Sequence, residues 1–237
     1  MTFTLLITSA ITAALVAGCG GTMRKSSTGA SGVPKATSLT ARVDNSWFPL
    51  KPGTTYVYRG VKNGKPSRDV VEVTSETNTI RGAPCVVVTD RLYLAGRLAE
   101  RTTDWYTQDE HGNVWYYGED TAELDAQGRV TSSEGSWQAG RDGAQPGIFM
   151  PAHPEVGDAY RQESYKGHAE DHFEILSLRT SVKVPDVSSA RAMLTKETTP
   201  LEPGVVDHKY YVRRIGTVLE QSVKGGAERN ALVDFRR

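Results

Sequence analysis

Asp104-Trp105-Tyr106-Thr107-Gln108-Asp109-Glu110-His111-Gly112-Asn113-Val114-Trp115-Tyr116-Tyr117 is the stretch on which the fold turns. Two runs of aromatic and strand-favouring residues flank the turn formers Asp109–Gly112, the pattern of an antiparallel hairpin. A four-residue turn sets Gln108 opposite Asn113, Tyr106 opposite Trp115 and Asp104 opposite Tyr117. On the alternate face Thr107 meets Val114 and Trp105 meets Tyr116, which reads as core. The first face mixes rings with amide, phenol and carboxylate groups, the surface a polar-tipped ligand or a partner protein would use. Asp104, Tyr106, Trp115 and Tyr117 are therefore candidate binding residues. The plainer reading is a half-buried sheet face under a loop, and a bulge near the turn would exchange the two faces.

Outward from this hairpin the same signals recur. Thr54–Arg59 alternates Tyr56 and Tyr58 with Thr55 and Val57. Asn63-Gly64 is a type I′ turn pair, and Arg81-Gly82 and Ala95-Gly96 mark further turns between β-branched runs. Ser188–Thr195 reads as a strand by position, and no long segment carries capped helical periodicity. The prediction is a mainly β fold, an antiparallel meander forming a curved sheet or incomplete barrel, with a β-sandwich as the alternative.

The second half echoes the first. Gly53-Thr54-Thr55-Tyr56 returns as Gly157-Asp158-Ala159-Tyr160, and Asp69-Val70-Val71-Glu72-Val73 as Asp171-His172-Phe173-Glu174-Ile175. Tyr106, Gly112 and Val114 are matched by Tyr210, Gly216 and Val218. Two similar meanders would follow from such a repeat, although strands and turns favour these residue types in any case. Between the copies, 118–154 reads as a long Gly- and Pro-rich loop that carries Trp137 in the segment Gly135–Gly140. Loops of that length are commonly functional, so Trp137, expected to be partly exposed there, joins the candidate binding set; the plainer reading is an Ω-loop whose Trp packs on the sheet.

Charge narrows the partners. Lys plus Arg and Asp plus Glu each number 28, so no basic footprint for nucleic acid exists. Phe3–Ala17 has no charged residue and matches the apolar core of a secretory signal, too short to span a bilayer comfortably. It ends in Val16-Ala17-Gly18-Cys19. Small residues before a Cys resemble the lipobox of bacterial lipoproteins, in which the thiol takes a diacylglycerol and the peptide before it is removed. No Lys or Arg precedes the apolar run, a departure from that pattern. The resemblance implies lipidation at Cys19, palmitate-type acylation and a cell-envelope location. It also implies that Gly20, in place of Asp, leaves out the inner-membrane retention signal. Two or three acyl chains make such attachment stable.

The organisation predicted is a lipoprotein signal peptide over 1–18, a lipidated Cys and flexible tether over 19–44, and a single β-rich domain over 45–237. Cys85, in Pro84-Cys85-Val86-Val87-Val88, has no nearby thiol or metal-ligand companion and reads as a buried strand residue. His168, Glu170 and His172 would share one face of a strand and make a weak candidate metal set. Their spacing departs from the helical zinc-hydrolase patterns. No nucleophile elbow, phosphate loop or dinucleotide fingerprint is present. The expectation is therefore a membrane-tethered, non-catalytic binding or assembly protein without cofactor, taking a small apolar ligand or an envelope protein. A metal-dependent hydrolase built on His168 and His172 is the alternative.

Overall fold

The structure, a computed structural model, describes residues 39–237. Cys19, the apolar run before it and the tether as far as residue 38 lie outside the described residues. The described chain forms sixteen strands and no helix. In order they are β1 (Leu39–Thr40), β2 (Thr55–Lys62), β3 (Lys65–Ile80), β4 (Ala83–Leu94), β5 (Arg97–Asp109), β6 (Val114–Leu124), β7 (Val130–Ser132) and β8 (Trp137–Gln138). There follow β9 (Gln145–Met150), β10 (Ala159–Arg161), β11 (Glu163–Ser164), β12 (His172–Lys183), β13 (Ser188–Thr198), β14 (Val206–Val212), β15 (Gly216–Lys224) and β16 (Arg229–Arg236).

Hydrogen-bonded neighbours run β12-β13-β14-β15-β16-β2-β3-β4-β5-β6-β9, antiparallel throughout. The segment Ala159–Ser164 nearly closes this wall, because β10 pairs with β12 and β11 pairs with β9. The result is the incomplete barrel, not the sandwich. Its seam is weak: β9 and β11 share two residue pairs, whereas β16 and β2 share seven. Gly147 sits at that seam, where a Cβ would lie 2.3 Å from the carbonyl oxygens of Arg161 and Gln162. Only glycine lets these backbones approach.

The two halves share a strand order and one recurring backbone exchange. One half runs β2 to β6 and ends on β9; the other begins on β10–β11 and runs β12 to β16. The last strand of each half pairs with the first strand of the other. Each half opens with the same backbone exchange. Gly53 N donates to Val73 O and Val73 N to Thr54 O, just as Gly157 N donates to Ile175 O and Ile175 N to Asp158 O. In the hairpins, Tyr211 rather than Tyr210 takes the inward place of Tyr106, since Tyr211 and Tyr106 both line the lumen.

The hairpins at Asn63-Gly64, Arg81-Gly82 and Ala95-Gly96 have positive φ at both residues, as type I′ turns require. Two boundaries differ from the sequence reading. The folded body takes in residues 39–44, assigned to the tether: β1 pairs with Asp109 and Gln108, Val43 bridges Leu50, and Val43, Trp47 and Leu50 are buried. These apolar side chains, spaced among polar ones, are what dock the segment. Nor is 118–154 a loop. Gly118–Leu124 completes β6, and β7, β8 and β9 follow within it. Gly118, at φ +131, permits this, because a Cβ there would lie 2.2 Å from the Trp137 carbonyl oxygen.

Candidate functional site

The β5–β6 hairpin folds with a longer turn than its sequence predicts. Asp109 is the cause. Its Oδ1 accepts from the backbone N–H of His111 and Asn113, at 3.0 and 2.9 Å, and its Oδ2 accepts from Asn113 Nδ2 and Trp115 Nε1, both at 2.9 Å. Asn113 is thereby drawn into the turn, and Gln108 pairs with Val114, Thr107 with Trp115 and Tyr106 with Tyr116. A one-residue slip moves every side chain to the other face. A bulge beside Gly118 then brings Asp104 opposite Glu119.

The predicted binding face is consequently split. Asp104 and Tyr106 point into the lumen, where Tyr106 stacks on Tyr116 at 4.7 Å between ring centroids. Trp115 shares the opposite face with Thr107, its partner in the ladder. Tyr117 lies near Cys85 and Arg81, on the far side of the wall from the Val86–Tyr106 pair. Trp137 is not an exposed loop residue: it is 4% exposed, meets Tyr116 edge-on at 5.4 Å, and donates from Nε1 to Glu163 Oε1 at 3.4 Å. It thus ties β8 to β11 across the seam.

One end of the barrel is plugged by residues 43–50. Gln108 Oε1 accepts from the N–H of Asp44 and Asn45, while Asn45 Nδ2 donates to the carbonyls of Gly112 and Pro151. Arg214 N donates to Ser46 O, and Arg213 lies over the Trp47 ring at 4.2 Å. The plug is therefore held to the β5–β6 and β14–β15 turns, one from each half. It presents Phe48 to the lumen, where Phe48, Tyr106 and Phe149 pack at 4.4 to 5.4 Å as an aromatic floor.

Above the floor lies a cavity of about 190 Å³, bordered by carboxyl groups of Asp69, Asp90, Asp104 and Glu220. A second, of about 180 Å³, shares Asp69, Asp90, Glu220 and Asn230 with it and extends toward the turns at Lys62–Lys65 and Lys224–Arg229. A third, of about 420 Å³, opens along the seam beside Glu119, Glu163 and Glu197. Twelve carboxyl groups line these spaces, against the cationic side chains Lys62, Lys209 and Arg229. The chain as a whole is neutral, so folding has sorted acid to the inside.

Enclosure sets the protonation of these acids. Burial pushes Asp104 up to about 7, against the hydrogen bond its Oδ1 accepts from Tyr116 Oη at 2.5 Å. Burial raises Glu163 to about 8, with Asp171 adding to it, and Glu197 to about 7, with Lys209 opposing. Asp90 stands well above the usual carboxylate range through burial and then the hydrogen bond to Asp69, and Glu119 through burial and the Asp104 charge. Burial works against the Lys209 ammonium, but Glu220 and Glu197, at 3.5 and 3.8 Å, outweigh it and hold the charge. Asp69 Oδ1, Asp207 Oδ1 and Asn230 Oδ1, all bordering the 180 Å³ cavity, are buried acceptors with no hydrogen-bond partner among the described residues.

His168, Glu170 and His172 do not form a strand face. His168 is exposed in a turn and stacks on Tyr165 at 4.4 Å, Glu170 accepts from Gly167 N, and His172 Nε2 accepts from Arg161 Nε at 3.2 Å. Among the described residues no three His, Cys, Asp or Glu side chains are grouped to hold a metal ion. The acidic lumen was missed from the sequence. Its local signal is that Asp69, Asp90 and Asp104 stand two residues from Val71, Val88 and Tyr106, and so on the same strand face as these apolar residues.

No family model and no curated protein matches the chain. A crystal structure of a "putative lipoprotein" from Parabacteroides distasonis ATCC 8503, at 2.70 Å resolution, is similar over 81% of this chain and 100% of that one. The identity is 11% and the TM-score 0.45, a likeness too distant to carry an argument about function.

Proposed function

We propose that the chain is a lipid-anchored binding protein of the bacterial cell envelope, non-catalytic, with the barrel lumen as its binding chamber. The observation that carries this reading is the chamber: a plugged end, an aromatic floor, and carboxyl groups from several strands that line the cavity above it. Concave, partly apolar cavities with a few inward polar groups are where small molecules bind. The Val16–Cys19 pattern supplies the anchor.

Native mass spectrometry of the full chain, extracted by mild detergent from its own membranes, tests both parts. The expected protein carries acyl mass that Cys19→Ala loses, together with a non-covalent small molecule. Val71→Trp, which fills the chamber, loses that molecule and keeps the acyl mass. An unacylated wild-type chain refutes the anchor, and a small molecule retained equally by Val71→Trp refutes the chamber.

A further inference from the structure

We propose that the chamber takes an organic cation, an ammonium or guanidinium group among Asp69, Asp90 and Asp104 with its apolar body on the Phe48–Tyr106–Phe149 floor. The inference rests on the reading of the lumen as a binding chamber and adds the chemistry of what enters it.

Charge is the first argument. The chamber is bordered by the carboxyls of Asp69, Asp90, Asp104 and Glu220, and the cationic side chains of this and the neighbouring cavities are Lys62, Lys209 and Arg229. One of those cations is already paired, Lys209 with Glu197 and Glu220, while Lys62 makes no described ion pair and, against its burial, is favoured as a cation by Glu100, Glu228, Asp69 and Glu220 together. The Asp69, Asp90 and Asp104 carboxyls on β3, β4 and β5 have no cation of their own among the described ion pairs. Burial favours the protonated forms of Asp90 and Asp104, and a cation placed among them favours the ionised forms instead.

Hydrogen bonding is the second. Asp69 Oδ1 and Asn230 Oδ1, which have no geometric hydrogen-bond partner among the described residues, are acceptors bordering the chamber, and Asp207 Oδ1 is another in the adjoining cavity; buried polar atoms in native proteins are nearly always paired. An ammonium or guanidinium carries several N–H donors and no acceptor, so it complements this inventory. Asn230 Nδ2 donates to Asp69 Oδ2 at 3.2 Å, and Asp90 is hydrogen-bonded to the same carboxyl group, so Asp69 is held in place at the chamber's edge.

The floor is the third. Phe48, Tyr106 and Phe149 present ring edges and faces beside Asp104, and aromatic faces attract cations as well as alkyl groups. Carboxylates on three strands around a cavity of about 190 Å³ suit a cation larger than a metal ion, which would need a tighter convergence of ligands.

Three probes with one tail and different heads make the test: hexylammonium, hexanol and hexanoate, titrated into the full chain in nonionic detergent with a micelle-only control. Ligand-observed NMR reads the affinity. The expected result is hexylammonium at least tenfold tighter than either other probe, with the preference lost in Asp90→Asn/Asp104→Asn. Equal binding of all three probes overturns the cation and leaves the chamber standing. Binding of none overturns the chamber as well. The comparison on the unaltered chain decides the matter even if the double variant does not fold.

Discussion

Asp104→Asn should make the protein less sensitive to alkaline pH. The carboxyl is raised from 3.8 to about 7 by burial, so between those values the folded chain holds a proton that the unfolded chain releases. Stability from this group is therefore complete below the unfolded value and is lost as pH rises through about 7. From pH 5 to 7 the loss has a ceiling of about 3 kcal/mol, at roughly 1.4 kcal/mol per pH unit. The lumen is bordered by solvent-sized space and Glu119 can take up part of the proton, so about 1–2 kcal/mol is expected. Asn keeps the Oδ1 that accepts from Tyr116, and it removes the charge that raises Glu119. Urea unfolding of both proteins at pH 5 and pH 8 measures the effect. The difference between variant and wild type should move by about 1–2 kcal/mol in the variant's favour at pH 8. A difference that is the same at both pH values would refute the argument. So would a wild type whose stability rises across that range, because Glu163 and Glu197 are shifted in the same direction.

Trp137→Ala should cost about 3–5 kcal/mol in chemical denaturation, the usual loss for a large buried aromatic; a loss under about 1 kcal/mol would contradict its packing on Tyr116 and its bond to Glu163. Gly118→Ala should lose about 3 kcal/mol, because its Cβ meets the Trp137 carbonyl and forces β8 off β6; wild-type stability would mean the bulge is not needed. Cys85, buried and raised to about 12, should resist thiol reagents at pH 8 until denatured. Rapid labelling of the native chain would place that thiol elsewhere.

Much of the architecture was legible because it is written in local rules. Positive-φ pairs fall where Asn63-Gly64, Arg81-Gly82 and Ala95-Gly96 stand, and the Gly53/Gly157 echo corresponds to one backbone exchange used twice. Strand identity and turn position depend on neighbours a few residues away, so the sequence itself determined the antiparallel meander and its two halves. The site was legible only in part: Asp104 and Tyr106 do face the chamber, but Trp115 and Tyr117 do not. One carboxylate, Asp109, bonds Asn113 and Trp115 and lengthens a turn by one residue, and with a period of two that reassigns the faces. Closure of the barrel was beyond sequence reasoning too, since the partners of Ala159–Ser164 lie on both sides of it in the chain. Most of all, neutrality by composition conceals the acidic lumen. Charge composition sums over the chain, whereas the field inside a barrel depends on which residues of distant strands point inward, and only the tertiary structure decides that.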